Sequence, residues 1–336
     1  MTMHDSLFGG GGGGVMASVQ GSLVDVLLDP RMGLNRRLEA IHAVLDWAPL
    51  APLARTVRAG RGGRPPYDGL AMLKALVLQR LYALSDPGLE EALGDRASFR
   101  RFCGFGLDAA TPDETTLCRF RIDAARLGVV EAALAEVNRQ LDAQGLILRT
   151  GTLVDASIVA ARARKPPGEA GLGASAPGEP GAAWTRKGGR SHFGYKVHVG
   201  TDEGSGLIRS VRLTPAHVAD IAVAPSLVGG DERAVYADKA YESRAWRTAL
   251  RGQGIKDRIM HRGHKNQAKL PAPHARHNTL IAPRRAGVER TFASLKTRCG
   301  LARLRCYTFC RHLADVQTFA IVFNLRRAAG LAAPCP

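Results

Sequence analysis

The stretch Gly151–Ala160, GTLVDASIVA, constrains the fold more than any other part of the chain. Its apolar and β-branched residues predict a strand over Thr152–Val159, and a run of this kind is typical of the centre of a sheet. One acid, Asp155, stands inside it. Burying an unpaired charge costs on the order of several kcal/mol. For a lone aspartate, a turn cap or an arginine partner is the simplest interpretation, but two further acids change it.

These acids are Asp238, which ends the predicted short strand Ala234–Ala237, and Glu289, inside a predicted helix over Arg284–Lys296. Two strands and a helix could bring the three carboxylates together. Carboxylate oxygens suit two Mg²⁺ ions, or Mn²⁺, with the remaining positions left to water and phosphate. One metal would activate a water or a 3′-hydroxyl, and the other would stabilise the leaving oxygen.

The charge of the chain points to a polyanion. The 336 residues carry a net charge of +17 and the sequence pI is about 10.3, which favours nucleic acid over an anionic membrane. No apolar run approaches the roughly 20 residues of a membrane helix, and Val15–Leu28 lacks the basic start of a signal peptide. The six cysteines are too sparse for a disulfide framework. We therefore expect a cytoplasmic protein with no membrane partner.

The segment from Arg284 to Arg311 is strongly basic, and Glu289 is its single acid. A solvated helix face normally mixes both signs, so this segment favours contact with DNA phosphates. Arg285, Glu289 and Lys296 fall on one side of a helix. That side would present a metal ligand flanked by two phosphate clamps.

A second basic segment, Trp184–Lys196, precedes a predicted strand. Its basic residues suit phosphates. Trp184 is equally consistent with stacking on an unpaired base and with packing in the core. The candidate DNA-binding residues are Trp184, Lys187, Arg190, Lys196, Lys239, Arg285, Arg290 and Lys296.

Three regions follow from the patterns along the chain. Residues 1–60 are a flexible lead, with the glycine run Gly9–Gly14, and short helices. Residues 61–148 form a helical, DNA-binding domain, with N-terminal caps predicted at Asp86 and Thr111. Residues 149–330 form a mixed α/β catalytic domain with C-terminal helices. Its other predicted elements are a hairpin of strands 194–200 and 207–213, helices 218–228, 242–251 and 313–327, a strand 255–260, and loops 162–181 and 261–277.

With these residues in hand, the chain resembles the DDE transposases of bacterial insertion sequences, in the branch typified by insertion sequence five. The resemblance covers about residues 60 to 327 and rests on TPDETTLCRFR, LVDASIVAA, WTRKGGRSHFGYKVH, VYADKAY and RRAGVERTFASLKTRCGLARLR. The last motif is the most specific, because the family places an arginine four residues before its glutamate and a lysine seven after. Arg285, Glu289 and Lys296 match it.

The resemblance implies a ribonuclease-H-like catalytic domain, a mixed sheet flanked by helices, preceded by an all-helical N-terminal domain. It also implies that Asp155, Asp238 and Glu289 bind the metals. We expect a transposase that cleaves DNA at the ends of its element and joins the 3′-ends to target DNA, acting as a homo-oligomer, at least a dimer on DNA. The alternatives are a catalytically inactive DNA-binding repressor of the element and a metal-dependent nuclease without strand transfer.

Overall fold

A computed structural model describes residues 33–58, 66–162, 179, 181–263, 269–298, 300–304, 306 and 308–332. The helices are α1 (Arg36–His42), α2 (Leu50–Arg55), α3 (Gly69–Leu81), α4 (Asp86–Asp95), α5 (Ala97–Cys103), α6 (Glu114–Arg126), α7 (Val129–Ala143), α8 (Asp220–Val223), α9 (Arg244–Gly252), α10 (Ala272–Arg298) and α11 (Phe309–Ala332). The strands are β1 (Thr152–Ala160), β2 (Ala183–Lys187), β3 (Arg190–Asp202), β4 (Ile208–Pro215), β5 (Ala234–Ala237) and β6 (Lys256–Ile259). The predicted flexible lead up to residue 32, with its glycine run, and most of the predicted loop 162–181 lie outside the described residues.

The sheet has the strand order β2-β3-β1-β5-β6, with β4 also paired to β3. β1 runs antiparallel to β3 and parallel to β5, and β5 runs parallel to β6. β2 and β4 pair with successive parts of β3, and Gly194 lies at the change from one to the other. A Cβ at Gly194 would lie 2.2 Å from the carbonyl oxygen of Val159, so only glycine allows β1 and β3 to approach there. β1 is central, as its sequence predicts.

Helices cover both faces of the sheet. On one face, Val154 and Ala237 pack with Trp246 and Leu250 of α9. On the other face, Leu153 joins a core shared with α10, α11 and the N-terminal helices. This arrangement confirms the predicted fold class: a ribonuclease-H-like mixed sheet flanked by helices and preceded by a helical region. None of the helices in the described part of the chain is both long and apolar enough to span a membrane.

Helix α11 joins the helical region to the sheet, because it contacts α1, α3, α6, α7 and β4. A buried ion pair reinforces this junction: Arg80 of α3 donates to the carboxylate of Asp315 in α11. Both residues are almost fully enclosed, at 5% and 3% exposure. The predicted boundary at residue 148 stays a prediction, since one continuous core runs across it.

The predicted N-terminal caps of two helices are wrong by one or two residues. Ser85, rather than Asp86, caps α4 by accepting a hydrogen bond from the amide of Gly88 at 3.1 Å. Asp113, rather than Thr111, caps α6. In both regions several adjacent residues have side chains able to cap, so sequence alone leaves the choice open.

Helix α10 begins at Ala272, twelve residues before the predicted start at Arg284. The predicted surface loop 261–277 therefore ends in helix, and Pro283 lies within α10. Proline normally marks a helix start because it lacks an N–H group, which explains the late prediction. The predicted helix 218–228 is shorter, with α8 followed by a 3₁₀ turn over Ala224–Leu227.

Candidate active site

Asp155 lies in the middle of the central strand β1, and its side chain is only 20% exposed. Burial raises the pKa of the Asp155 carboxyl to about 6, although the charge of Arg285 opposes this and that of Asp238 adds to it. A pKa this high means that the surroundings of Asp155 do not fully offset the cost of burying its negative charge. A further cation near Asp155 would therefore stabilise its charged form.

The parallel pairing of β1 and β5 sets Asp238 beside Asp155. The register aligns Thr152 with Val235 and Leu153 with Tyr236, and two more residues along each chain reach the two aspartates. Neighbouring strands lie about 4.8 Å apart. Asp238 directly follows β5, where one carboxylate oxygen accepts a hydrogen bond from the amide of Ala240 at 2.8 Å.

Helix α10 lies across β1 and β5 on the face that carries both aspartates. Arg284 donates to the Tyr236 hydroxyl at 3.3 Å. A Cβ at Gly287 would lie 2.9 Å from a methyl group of Leu153, so a larger residue there would push the helix off the strand. Glu289 follows Arg285 by one helical turn, and this places it on the side of α10 that reaches Asp155.

The Glu289 side chain is exposed. Among the residues that the structure describes, no three His, Cys, Asp or Glu side chains lie close enough together to hold a metal ion. The fold thus pairs Asp155 with Asp238 but leaves Glu289 outside such a cluster. The donor set nevertheless fits a hard cation, because it consists of carboxylate oxygens and one of them belongs to a buried, undercompensated acid.

Arg285, a predicted phosphate clamp, instead faces a carboxylate. One terminal nitrogen of its guanidinium lies 3.5 Å from Asp155, and the side chain is only 12% exposed. Its Nε is buried and has no hydrogen-bond partner within the described residues. Arg285 therefore serves as the countercharge of Asp155 in this structure.

Two lysines add positive charge near Asp155. Lys187 is exposed at the end of β2, and its charge lowers the pKa of Asp155. Burial lowers the pKa of Lys296, and the charge of Lys187 lowers it further. Three other predicted DNA contacts, Arg190, Lys239 and Arg290, are exposed.

Two predicted DNA contacts need correction. Trp184 is 5% exposed and packs against Phe193, with ring centroids 5.4 Å apart, so its ring is enclosed in the core and not presented to a base. Lys196 forms an ion pair with Asp220 at 2.9 Å and donates to the carbonyl of Val218 at 2.8 Å. Internal partners thus hold Lys196 away from solvent.

Sequence reasoning missed Tyr241, which is 1% exposed and belongs to the core between the sheet and α9. Its hydroxyl is buried without a hydrogen-bond partner in the described part of the chain. Burial raises the pKa of Tyr241, and the charges of Asp220, Asp155 and Asp238 act in the same direction. The motif VYADKAY contains this tyrosine three residues after Asp238, and that spacing was the available signal.

Asp155→Asn is expected to stabilise the metal-free protein at neutral pH. Because the pKa of Asp155 is about 6 in the folded state against 3.8 in the unfolded state, the folded state binds more protons between these values. The free energy of unfolding of the wild type therefore falls as the pH rises from 3.8 to about 6. The total decrease is about 3 kcal/mol, because each unit of pKa difference corresponds to about 1.4 kcal/mol. Urea unfolding of the wild type and of Asp155→Asn, with a chelator present, measures this difference in stability at pH 4 and pH 7. A variant less stable than the wild type at pH 7 would contradict the assignment.

The mixed sheet, with two aspartates side by side on parallel strands, defines a ribonuclease-H-like protein. Residues 148–325 match the family model described as a transposase DDE domain, and residues 27–123 match a transposase domain (DUF772). The first match spans more than half of the 336 residues, so this chain belongs to the transposase DDE domain family. The family assignment made from sequence is confirmed, while the branch within it stays a prediction.

Among solved structures, the chain is similar to a piggyBac transposase in a synaptic complex with hairpin DNA, determined by cryo-EM. The TM-score is 0.47 and the sequence identity 10%, over 88% of this chain and 74% of that one.

Proposed function

We propose that this transposase cleaves DNA at the ends of its own element and joins the freed 3′-ends to target DNA by metal-dependent phosphoryl transfer. The observation that carries the proposal is the β1–β5 register, which sets Asp155 beside Asp238 under a helix that bears Glu289. Ordinary structural carboxylates are dispersed, because like charges side by side repel.

Asp155, Asp238 and Glu289 are the residues that would hold two Mg²⁺ or Mn²⁺ ions. When bound, the metals supply an activated water or 3′-hydroxyl and stabilise the leaving oxygen. In their absence Arg285, 3.5 Å away, compensates part of the charge of Asp155. The surrounding burial, which raises the pKa of Asp155, also limits water at the reacting centre and strengthens the electrostatic interactions there.

The DNA backbone would approach from the side of Lys187 and Lys296, whose positive charges act on each other; the charge of Lys187 also acts on Asp155. Arg190 and Lys239, which are exposed, would extend this positive surface. The net charge of +17 supports a polyanionic partner. We further propose a homo-oligomer, at least a dimer on DNA, because two element ends must be joined in one reaction, and a cytoplasmic location with the protein on the nucleoid when DNA-bound.

The test uses a duplex that carries the short inverted repeats flanking the coding region, incubated with Mg²⁺ and a circular target. Transposition predicts cleavage at the repeat ends followed by covalently joined products. Cleavage without joining would indicate the nuclease alternative, and repeat binding without cleavage the repressor. A protein that does neither would refute the proposal.

A further inference from the structure

A cavity of about 670 Å³ lies beside α10, bounded by α1, the end of α11 and the turn between β3 and β4. Its lining combines small residues with arginines from three helices. The arginines are Arg37, Arg290, Arg326 and Arg327. These arginines are distinct from Arg285, which faces Asp155.

The cavity is strongly positive. Its one acid, Glu203, is paired with Arg284. Arg37 and Arg290 are exposed, and neither forms an ion pair with any other described residue. Arg327 donates to the carbonyl of Ser205 at 2.8 Å. Positive charges that line a common space repel one another, so an anion bound between them would be stabilised.

The cavity lies against a face of α10 other than the one that carries Arg285 and Glu289, and it reaches Leu153 of β1. Gly287, Arg290, Thr291 and Ser294 line it, and their spacing of three, four and seven residues places them on one helix face. Arg285 and Glu289 each lie two residues from Gly287, about 200° around the helix. Helix α10 therefore separates two positively charged sites.

The lining chemistry selects phosphate. A guanidinium presents a planar fork of donors that matches phosphate oxygens, and the hydroxyl of Ser294 adds a neutral donor. Free phosphate compounds and the phosphodiesters of DNA share this chemistry.

We propose that this cavity binds a backbone phosphate of DNA, as a second contact on a face of α10 other than the one that carries Arg285 and Glu289. The inference rests on the proposed function, because it takes DNA as the substrate. DNA is favoured over a small phosphate compound because Arg37 belongs to the helical region and Arg290 to α10. A continuous backbone can thus follow the surface from one region to the other.

The experiment compares Arg37→Gln/Arg290→Gln with the matched control Arg36→Gln/Arg276→Gln. Both pairs remove two charges from exposed positions of α1 and α10, but the control residues do not line the cavity. Fluorescence anisotropy gives the affinity for a repeat-end duplex and an unrelated duplex across a salt series. We expect the slope of log K against log salt to fall by about 0.9 for each lost phosphate contact in the cavity variant only. The loss should be alike for both duplexes, since phosphate contacts do not read sequence.

The outcomes separate the two proposals. A wild type that fails to bind DNA refutes the proposed function, whereas equal slopes in cavity and control variants refute the cavity inference alone. Calorimetry with pyrophosphate is a second measurement. If the cavity variant loses pyrophosphate binding but keeps the wild-type slope of log K for DNA against log salt, the cavity binds a small phosphate compound and the DNA assignment is overturned. If the cavity variant melts at lower temperature than the control, Ser294→Glu replaces it, because it adds negative charge while keeping every arginine.

Discussion

Asp238→Asn is expected to abolish DNA cleavage while leaving the affinity for element ends nearly unchanged. The carboxylate of Asp238 lies beside that of Asp155 and has one oxygen free of the hydrogen bond to Ala240. Asparagine keeps the shape but lacks the charge that holds a divalent cation. Loss of outer-shell partners of a metal costs about 10–100-fold, so loss of a ligand should exceed about 100-fold. Rates of end cleavage at saturating protein, with affinities measured separately, provide the test.

The variant is expected to fold normally, since the asparagine oxygen can still accept the amide of Ala240. Asp113→Asn is the matched control, because Asp113 also caps a helix through its side-chain oxygen, which accepts the Thr116 amide at 2.6 Å, and it lies in the helical region. It should cleave at the wild-type rate. Mg²⁺ should raise the melting temperature of the control but not of Asp238→Asn. If Asp238→Asn loses DNA binding yet still cuts, Asp238 is a structural residue.

Asp315→Ala is expected to destabilise the protein by about 3–5 kcal/mol, the range measured when one partner of a buried ion pair is removed. Arg80 is 5% exposed and cannot release its proton. Without Asp315 its charge would remain buried between α3 and α11 with its main partner gone. Urea unfolding at pH 7 measures the loss.

The exposed pair Arg101–Glu39 supplies the comparison, with side chains 45% and 43% exposed. Glu39→Ala should cost less than about 1 kcal/mol, because water screens that pair. The double variant Arg80→Met/Asp315→Leu should recover most of the stability, since it removes both buried charges. A cost for Asp315→Ala as small as for Glu39→Ala would show that water reaches Arg80.

The sequence predicts those parts of the site that depend on local pattern. The apolar run around Asp155 indicates a central strand, and Asp238 directly after a short strand indicates its end. Their juxtaposition, however, depends on the parallel pairing of β1 with β5. Strands about 80 residues apart in the chain carry no local signal for that register.

Side-chain partners explain the predictions that failed. Lys196 has the composition of a surface residue, but Asp220, 24 residues further on, holds it inside. Trp184 belongs to a strand whose pairing with β3 encloses its ring. Burial at each position is decided by residues distant in sequence, so a basic or aromatic residue beside glycines is equally typical of an interface and of a core.

Helix α11 also governs when the polypeptide can become a folded protein. A ribosome completes Phe309–Ala332 only after every element that this helix contacts has already been made. Until then, the apolar surfaces of α3, α7 and β4 lack their cover, and uncovered surfaces of this kind favour aggregation. A gene copy interrupted before codon 309 would therefore yield an insoluble product that chaperones and proteases remove. Loss of α11 alone would therefore lower the amount of transposase in the cell, even with the paired aspartates intact.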